Sequence, residues 1–176
     1  MTLAAGEGAY LYVIGPALRR FAAAEGADRL RLLTLGGRDA CAAVLSGDAH
    51  LAVCAIDLVP TRLTADEITR TRLCVAMSRT HRLARRRTLR LQDLAGERLV
   101  LAPAGQLHRE LVGRALGRVG FDVADPIEAD GWPLMLRFAQ LGLGLAFVNE
   151  SCARMDGLVV RAVPELGSVA YRLVRR

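Results

Sequence analysis

Leu45-Ser46-Gly47-Asp48-Ala49-His50-Leu51-Ala52-Val53-Cys54-Ala55-Ile56 is the stretch whose reading decides the fold. Ser46-Gly47-Asp48 stops a helix, and Leu51 to Ile56 follows as an unbroken apolar run. A strand without polar alternation is buried on both faces, as in a parallel sheet covered by helices. Working back toward the N-terminus, Asp39 is placed to cap the helix through Cys41, Val44 and Leu45. Leu30, Leu32 and Leu33 predict the preceding strand. Leu11, Ile14, Leu18 and Phe21 recur at helical spacing and predict a helix from about Ala9 to Ala24. Leu3 to Ala5 reads as a short first strand. The order is β-α-β-α-β.

The second half of the chain repeats that order without repeating the sequence. Arg98 to Ala102 predicts a strand, and Leu107, Leu111, Ala115 and Val119 a helix. Phe121 to Ala129 reads as extended, Leu134, Phe138 and Leu141 as a helix, and Leu145 to Val148 as another apolar strand. Three further strand-like segments join the halves: Ile68 to Ser78, Leu158 to Val163, and Val169 to Val174, with Tyr171 expected half-buried. The expected fold class is α/β, with two Rossmann-like βαβαβ lobes joined by two crossover strands. Residues 1–72 plus 165–176 make the first lobe and 73–164 the second, with the last strand pairing back onto the first lobe.

Composition narrows the function. The chain has 176 residues and 52% hydrophobic content, enough for a packed core. All 24 of its basic residues are Arg, and the absence of Lys excludes Schiff-base and P-loop lysines. The net charge of +6 favours an acidic ligand or partner. No apolar run approaches the roughly 18 residues of a membrane span, and the N-terminus lacks the basic and apolar regions of a signal peptide. The expectation is a cytoplasmic protein without membrane contact. Cys41, Cys54, Cys74 and Cys152 form no CxxC pair, and three of them lie in apolar segments; all four read as reduced core cysteines. Three scattered histidines (His50, His81, His108) predict no metal site. GxSxG, HExxH and phosphate-loop motifs are absent, and Gly142-Leu143-Gly144 follows a helix rather than opening one, the reverse of a dinucleotide fingerprint. The expectation is binding without catalysis and without a cofactor.

Open parallel sheets bind ligands at the carboxyl ends of their strands, where helix N-termini present free N–H groups. Those turns are Gly6-Glu7-Gly8-Ala9, Gly36-Gly37-Arg38 and Pro103-Ala104-Gly105-Gln106. Two lobes facing each other would surround a cleft suited to a carboxylate or another anion. Arg38 can grip a carboxylate bidentately or simply lie exposed at a helix start. Trp132, the single Trp, follows Asp130-Gly131 where a helix begins, and serves as a pocket wall or as packing between lobes. His108 is offered with Gln106 by the second lobe's turn, and reads either as a cleft-side residue or as a surface helix residue. Arg79 to Arg90 carries six Arg but no aromatic residue for base stacking, so it reads as a solvated loop rather than a nucleic-acid patch.

Four segments resemble the effector-binding domains of LysR-type transcriptional regulators. They are Gly8 to Phe21, Leu45 to Val53, His81-Arg82-Leu83-Ala84 with Leu91-Gln92-Asp93-Leu94-Ala95-Gly96-Glu97, and Leu141 to Val148. In that family His81-Arg82 corresponds to His-Pro, His50 to a common Asp and Asn149 to a usual Pro, so Asn149 sets a polar side chain at a strand end. The resemblance implies a type 2 periplasmic-binding-protein-like fold and a small-molecule effector, a carboxylate or an amino acid. By position the ligand contacts would be Glu7, Gly8, Ala9, Tyr10, Gly37, Arg38, Gln106, Trp132 and Asn149. It also implies a homodimer, a tetramer in the full-length regulator, and DNA contact only through an N-terminal winged helix-turn-helix absent from this sequence. The alternatives are a solute-binding protein of the periplasmic type and, third, an enzyme on the same fold.

Overall fold

The computed structural model describes residues 1–121, 123, 125–152 and 155–176. It divides into two compact units, Met1–Arg70 with Ala170–Arg176, and Thr71–Val169.

In the first unit β1 (Thr2–Ala5) lies between β2 (Arg31–Thr34) and β3 (Leu51–Ala55), parallel to both. β9 (Ser168–Arg175) runs antiparallel to β3, with Tyr171 opposite Ala55. The last strand therefore returns to the first unit. Side chains on neighbouring strand positions point to opposite faces, and two separate cores result. Ala4, Ala52 and Cys54 pack with Ala40, Cys41 and Val44 of α3 (Gly37–Ser46). Leu3, Ala5 and Val53 pack with Ala9 and Ile14 on the other face. Burial on both faces is why β3 is apolar at every position. Tyr171 joins this second core at 6% exposure, not half-buried as expected from alternation alone, because helical residues cover its face of the sheet.

The first helical segment is longer and less regular than its periodicity predicts. It runs through α1 (Glu7–Ala9), a wide π turn (Tyr10–Ile14) and α2 (Gly15–Glu25). Pro16 sits at the start of α2; it has no N–H for the carbonyl four residues back, and its ring crowds that carbonyl, which widens the turn. Asp39 does not cap α3. Gly36 takes the capping position in an extended conformation, its carbonyl accepting from the Ala40 N–H at 2.8 Å, and Asp39 falls in the first turn. An acid there still complements the helix dipole. His50 closes the loop before β3: its Nδ1 accepts from the Thr2 N–H at 3.0 Å.

In the second unit β5 (Leu99–Leu101) lies between β6 (Ile127–Glu128) and β7 (Leu145–Asn149), parallel to both. β7 is antiparallel to β4 (Thr64–Ser78), and β8 (Leu158–Ala162) is antiparallel to the other edge of β4. The helices are α4 (Leu107–Arg118) and α5 (Trp132–Gln140). β6 occupies two residues of the nine expected to be extended, and Asp122 and Ala124 of that stretch lie outside the described residues.

The His-Arg-Leu-Ala and Leu-to-Glu97 segments form two 3-10 turns, Arg82–Arg85 and Leu91–Leu94, joined by side-chain bridges. The Glu97 carboxylate meets His81 Nε2 at 3.1 Å and Arg82 at 2.5 Å. Asp93 accepts from the Arg90 N–H and pairs with Arg86 at 2.6 Å, and these contacts hold its carboxyl below the usual range. Two arginines of the basic run are thus neutralised within the fold.

Candidate functional site

Each unit turns its parallel strands so that their carboxyl ends share one edge of the sheet, and the helices start there. In the first unit Gly6 is the extended residue before α1, and its carbonyl accepts from the Ala9 and Tyr10 N–H groups at 3.0 and 3.2 Å. Glu7 is exposed at this turn, whereas Gly8 and Ala9 are buried. The Tyr10 hydroxyl lies 2.9 Å from the carbonyls of both Leu3 and Leu33, so its tip is engaged in clasping β1 to β2. Partial burial pushes that phenol up.

At the second turn, α3 begins against the end of β3. A methyl group on Gly37 would stand 3.0 Å from the Ala55 carbonyl oxygen and 3.6 Å from Cys54 Cβ, so glycine lets the turn approach without displacing that backbone. Arg38 is exposed on the next position. Beneath the turn the sulfurs of Cys41 and Cys54 are 3.9 Å apart. All four cysteines are free and buried, in agreement with the sequence reading. Burial pushes Cys54 and Cys152 up to about 12 and Cys74 to about 11, so they are thiols at neutral pH. Among the described residues no cluster of three His, Cys, Asp or Glu side chains is placed to hold a metal.

The second unit has the more specific arrangement. Gln106 precedes α4 in an extended conformation and donates from Nε2 to Asp130 Oδ1 at 3.0 Å. Asp130 belongs to the turn after β6, where Gly131 precedes Trp132 at the start of α5. Two helix starts from adjacent strands are thereby tied together. The rings of His108 and Trp132 meet edge to face, with centroids 4.8 Å apart and planes at 71°. Arg109 donates to the Ala102 carbonyl at 3.3 Å and lies 3.9 Å from Glu128. Asn149 ends β7 at the same edge, opposite Leu73 of β4, and at 2% exposure is a buried polar residue of the core.

His108 is not the surface residue the sequence suggests. Both its ring nitrogens are sealed from solvent and have no hydrogen-bond partner among the described residues. The rest of the residue is half-buried at the helix flank. Burial disfavours the charged imidazole and lowers its pKa to about 4, so it is neutral at physiological pH. Helical spacing holds the missed signal: the buried residues of α4 are Val112, Ala115 and Leu116, and His108 stands four residues before Val112. The stripe Leu107, Leu111, Ala115 is rotated by one position from the buried one.

A family model described as the LysR substrate binding domain matches residues 1–176. No curated protein sequence matches the chain. Among solved structures, a variant of the BenM effector-binding domain has a TM-score of 0.83 at 19% identity, covering 100% of this chain and 85% of that one. The effector-binding domain of QuiR in complex with shikimate has a TM-score of 0.84 at 14% identity, covering 99% of this chain and 86% of that one. A mutant of OxyR from Corynebacterium glutamicum bound to H2O2 has a TM-score of 0.82 at 18% identity; the match covers 100% of this chain and 58% of that one. These likenesses establish the fold, and the family match over the whole length establishes that the chain belongs to the LysR substrate-binding domain family.

Proposed function

We propose that this chain is the sensory domain of a LysR-type transcriptional regulator, binding a small carboxylate or amino acid without turning it over. The observation that carries the reading is the family match along all 176 residues. Helices in both units start at the carboxyl ends of parallel strands, which supports it. The contacts would be Glu7, Gly8, Ala9, Tyr10, Gly37, Arg38, Gln106, Trp132 and Asn149. Tyr10 acts through the turn it braces, and Ala9 and Gly8 through their backbone. Solved structures of this fold include BenM with its effector benzoate and QuiR with shikimate, both carboxylates. A thermal-shift screen against carboxylates and amino acids tests the reading. A ligand at 100 times its dissociation constant adds about 2.7 kcal/mol, roughly 5–10 °C for a chain of this size. The shift should vanish in Arg38→Ala and Trp132→Ala. No shift across a broad panel, or a shift indifferent to both substitutions, would contradict it.

The same reading makes the domain a homodimer in the cytoplasm, a tetramer in the full-length regulator, and dependent on an N-terminal domain for DNA. β2 is the edge strand of its sheet with three of four residues exposed, and α2 beside it buries none. Leu32 of β2 is exposed at 47%, and Leu11 of the π turn before α2 at 53%. Light scattering should give twice the chain mass, and Leu32→Arg should return it to the monomer. A monomeric parent chain would contradict this assembly.

A further inference from the structure

Among the described residues neither ring nitrogen of the sealed His108 imidazole has a hydrogen-bond partner. A buried polar group without a partner destabilises the native state, and native structures retain few of them without a functional reason. The Trp132 ring packs against it, and an aromatic edge or face is a weak substitute for an oxygen partner. The pair sits at the carboxyl edge of the second unit's sheet, beside the Gln106–Asp130 bridge.

We infer that His108 is a concealed ligand contact, covered by Trp132, and that it hydrogen-bonds a hydroxyl group of the effector. The inference rests on the effector-binding reading above and refines its ligand class to hydroxylated carboxylates. A neutral imidazole carries one N–H donor and one acceptor nitrogen, the complement of a hydroxyl, which both donates and accepts. A carboxylate, which only accepts, would use the N–H alone and leave the acceptor nitrogen unmet. The ligand's uncharged polar end is therefore the one that docks here. Trp132 follows Gly131 at the first position of α5 and is half-buried, so a side-chain rotation uncovers the imidazole without moving the helix.

Three matched pairs of probes test this: propanoate with L-lactate, succinate with L-malate, and benzoate with 4-hydroxybenzoate. Dissociation constants and Trp emission are measured on this 176-residue chain and on its His108→Phe and His108→Leu variants. Trp132 is the single tryptophan, so emission reports on that ring alone. In the parent chain the hydroxylated member of the bound pair should bind roughly tenfold tighter and shift the emission. In the variants that preference should fall below about twofold. Independently of any ligand, at least one variant should melt about 2–4 °C higher than the parent, since it removes an unsatisfied buried group. Both variants melting lower would mean that the imidazole is a satisfied core group, and would overturn the inference. So would a hydroxyl preference that survives the substitutions. Equal binding of both members of a pair leaves the effector-binding reading intact and refutes this contact; so does failure of all six probes when another carboxylate of the broad panel binds.

Discussion

Phe147→Ala is expected to destabilise the chain by about 3–5 kcal/mol, lowering the melting temperature by roughly 10 °C. Phe147 is fully buried, opposite Val75 of β4 in the middle of β7, and every residue of that strand is buried. β7 is held between β4 and β5 by backbone pairing on both sides, so the strand cannot shift to fill the void. The loss is then the transfer term plus an unrelaxed cavity. Since whole domains are stable by only about 5–15 kcal/mol, this substitution consumes a large part of the total. Thermal and urea unfolding of the two chains measure it; a drop below about 1 kcal/mol would show that the second unit's core is loosely packed.

Gly144→Ala is expected to cost about 2–3 kcal/mol, or roughly 5–10 °C. A methyl group at 144 would stand 2.7 Å from the Arg98 carbonyl oxygen and 3.2 Å from Val100 Cγ2. That carbonyl accepts from the Leu145 N–H at 2.8 Å, the bond that starts the β5–β7 ladder. The obstacle is backbone, so no side-chain rotation relieves it. Gly142 is glycine for a different reason. It ends α5 at φ 76°, a left-handed conformation that side chains disfavour, while Leu143 returns its N–H to the Phe138 carbonyl at 3.0 Å. The Leu-Gly-Leu-Gly-Leu-Ala-Phe-Val segment is therefore a helix stop, a close approach and a buried strand. A Gly144→Ala chain melting within 2 °C of the parent would contradict this account.

Apolar runs and glycine stops made the fold legible. Leu51 to Ala55 and Leu145 to Asn149 are buried on both faces, and only a covered parallel sheet produces such runs. Legibility failed where geometry depends on one residue's local chemistry. Asp39 is a good capping residue, yet Gly36 occupies the cap because α3 begins three residues earlier, where Gly37 meets Ala55. The π turn at Tyr10–Ile14 follows from Pro16, a single residue that periodicity averages away.

The candidate site was less legible than the fold. Turns could be placed from glycine and strand order, but side-chain direction could not. Tyr10 is expected by position among the ligand contacts, and its hydroxyl is engaged with the Leu3 and Leu33 carbonyls. The polarity of His108 points to the surface, whereas its spacing four residues before Val112 places it on the buried stripe of α4. The bond between Gln106 and Asp130 links residues 24 apart, which no local pattern encodes.

The central claim is that this domain binds a small carboxylate and does not transform it. Isothermal titration of the strongest thermal-shift hit tests it most directly, with the ligand recovered afterwards and compared by NMR. The account predicts saturable binding, at least tenfold weaker in Arg38→Ala and Trp132→Ala, and ligand returned unchanged. Ligand converted to product, or affinity unaltered in both variants, would contradict it.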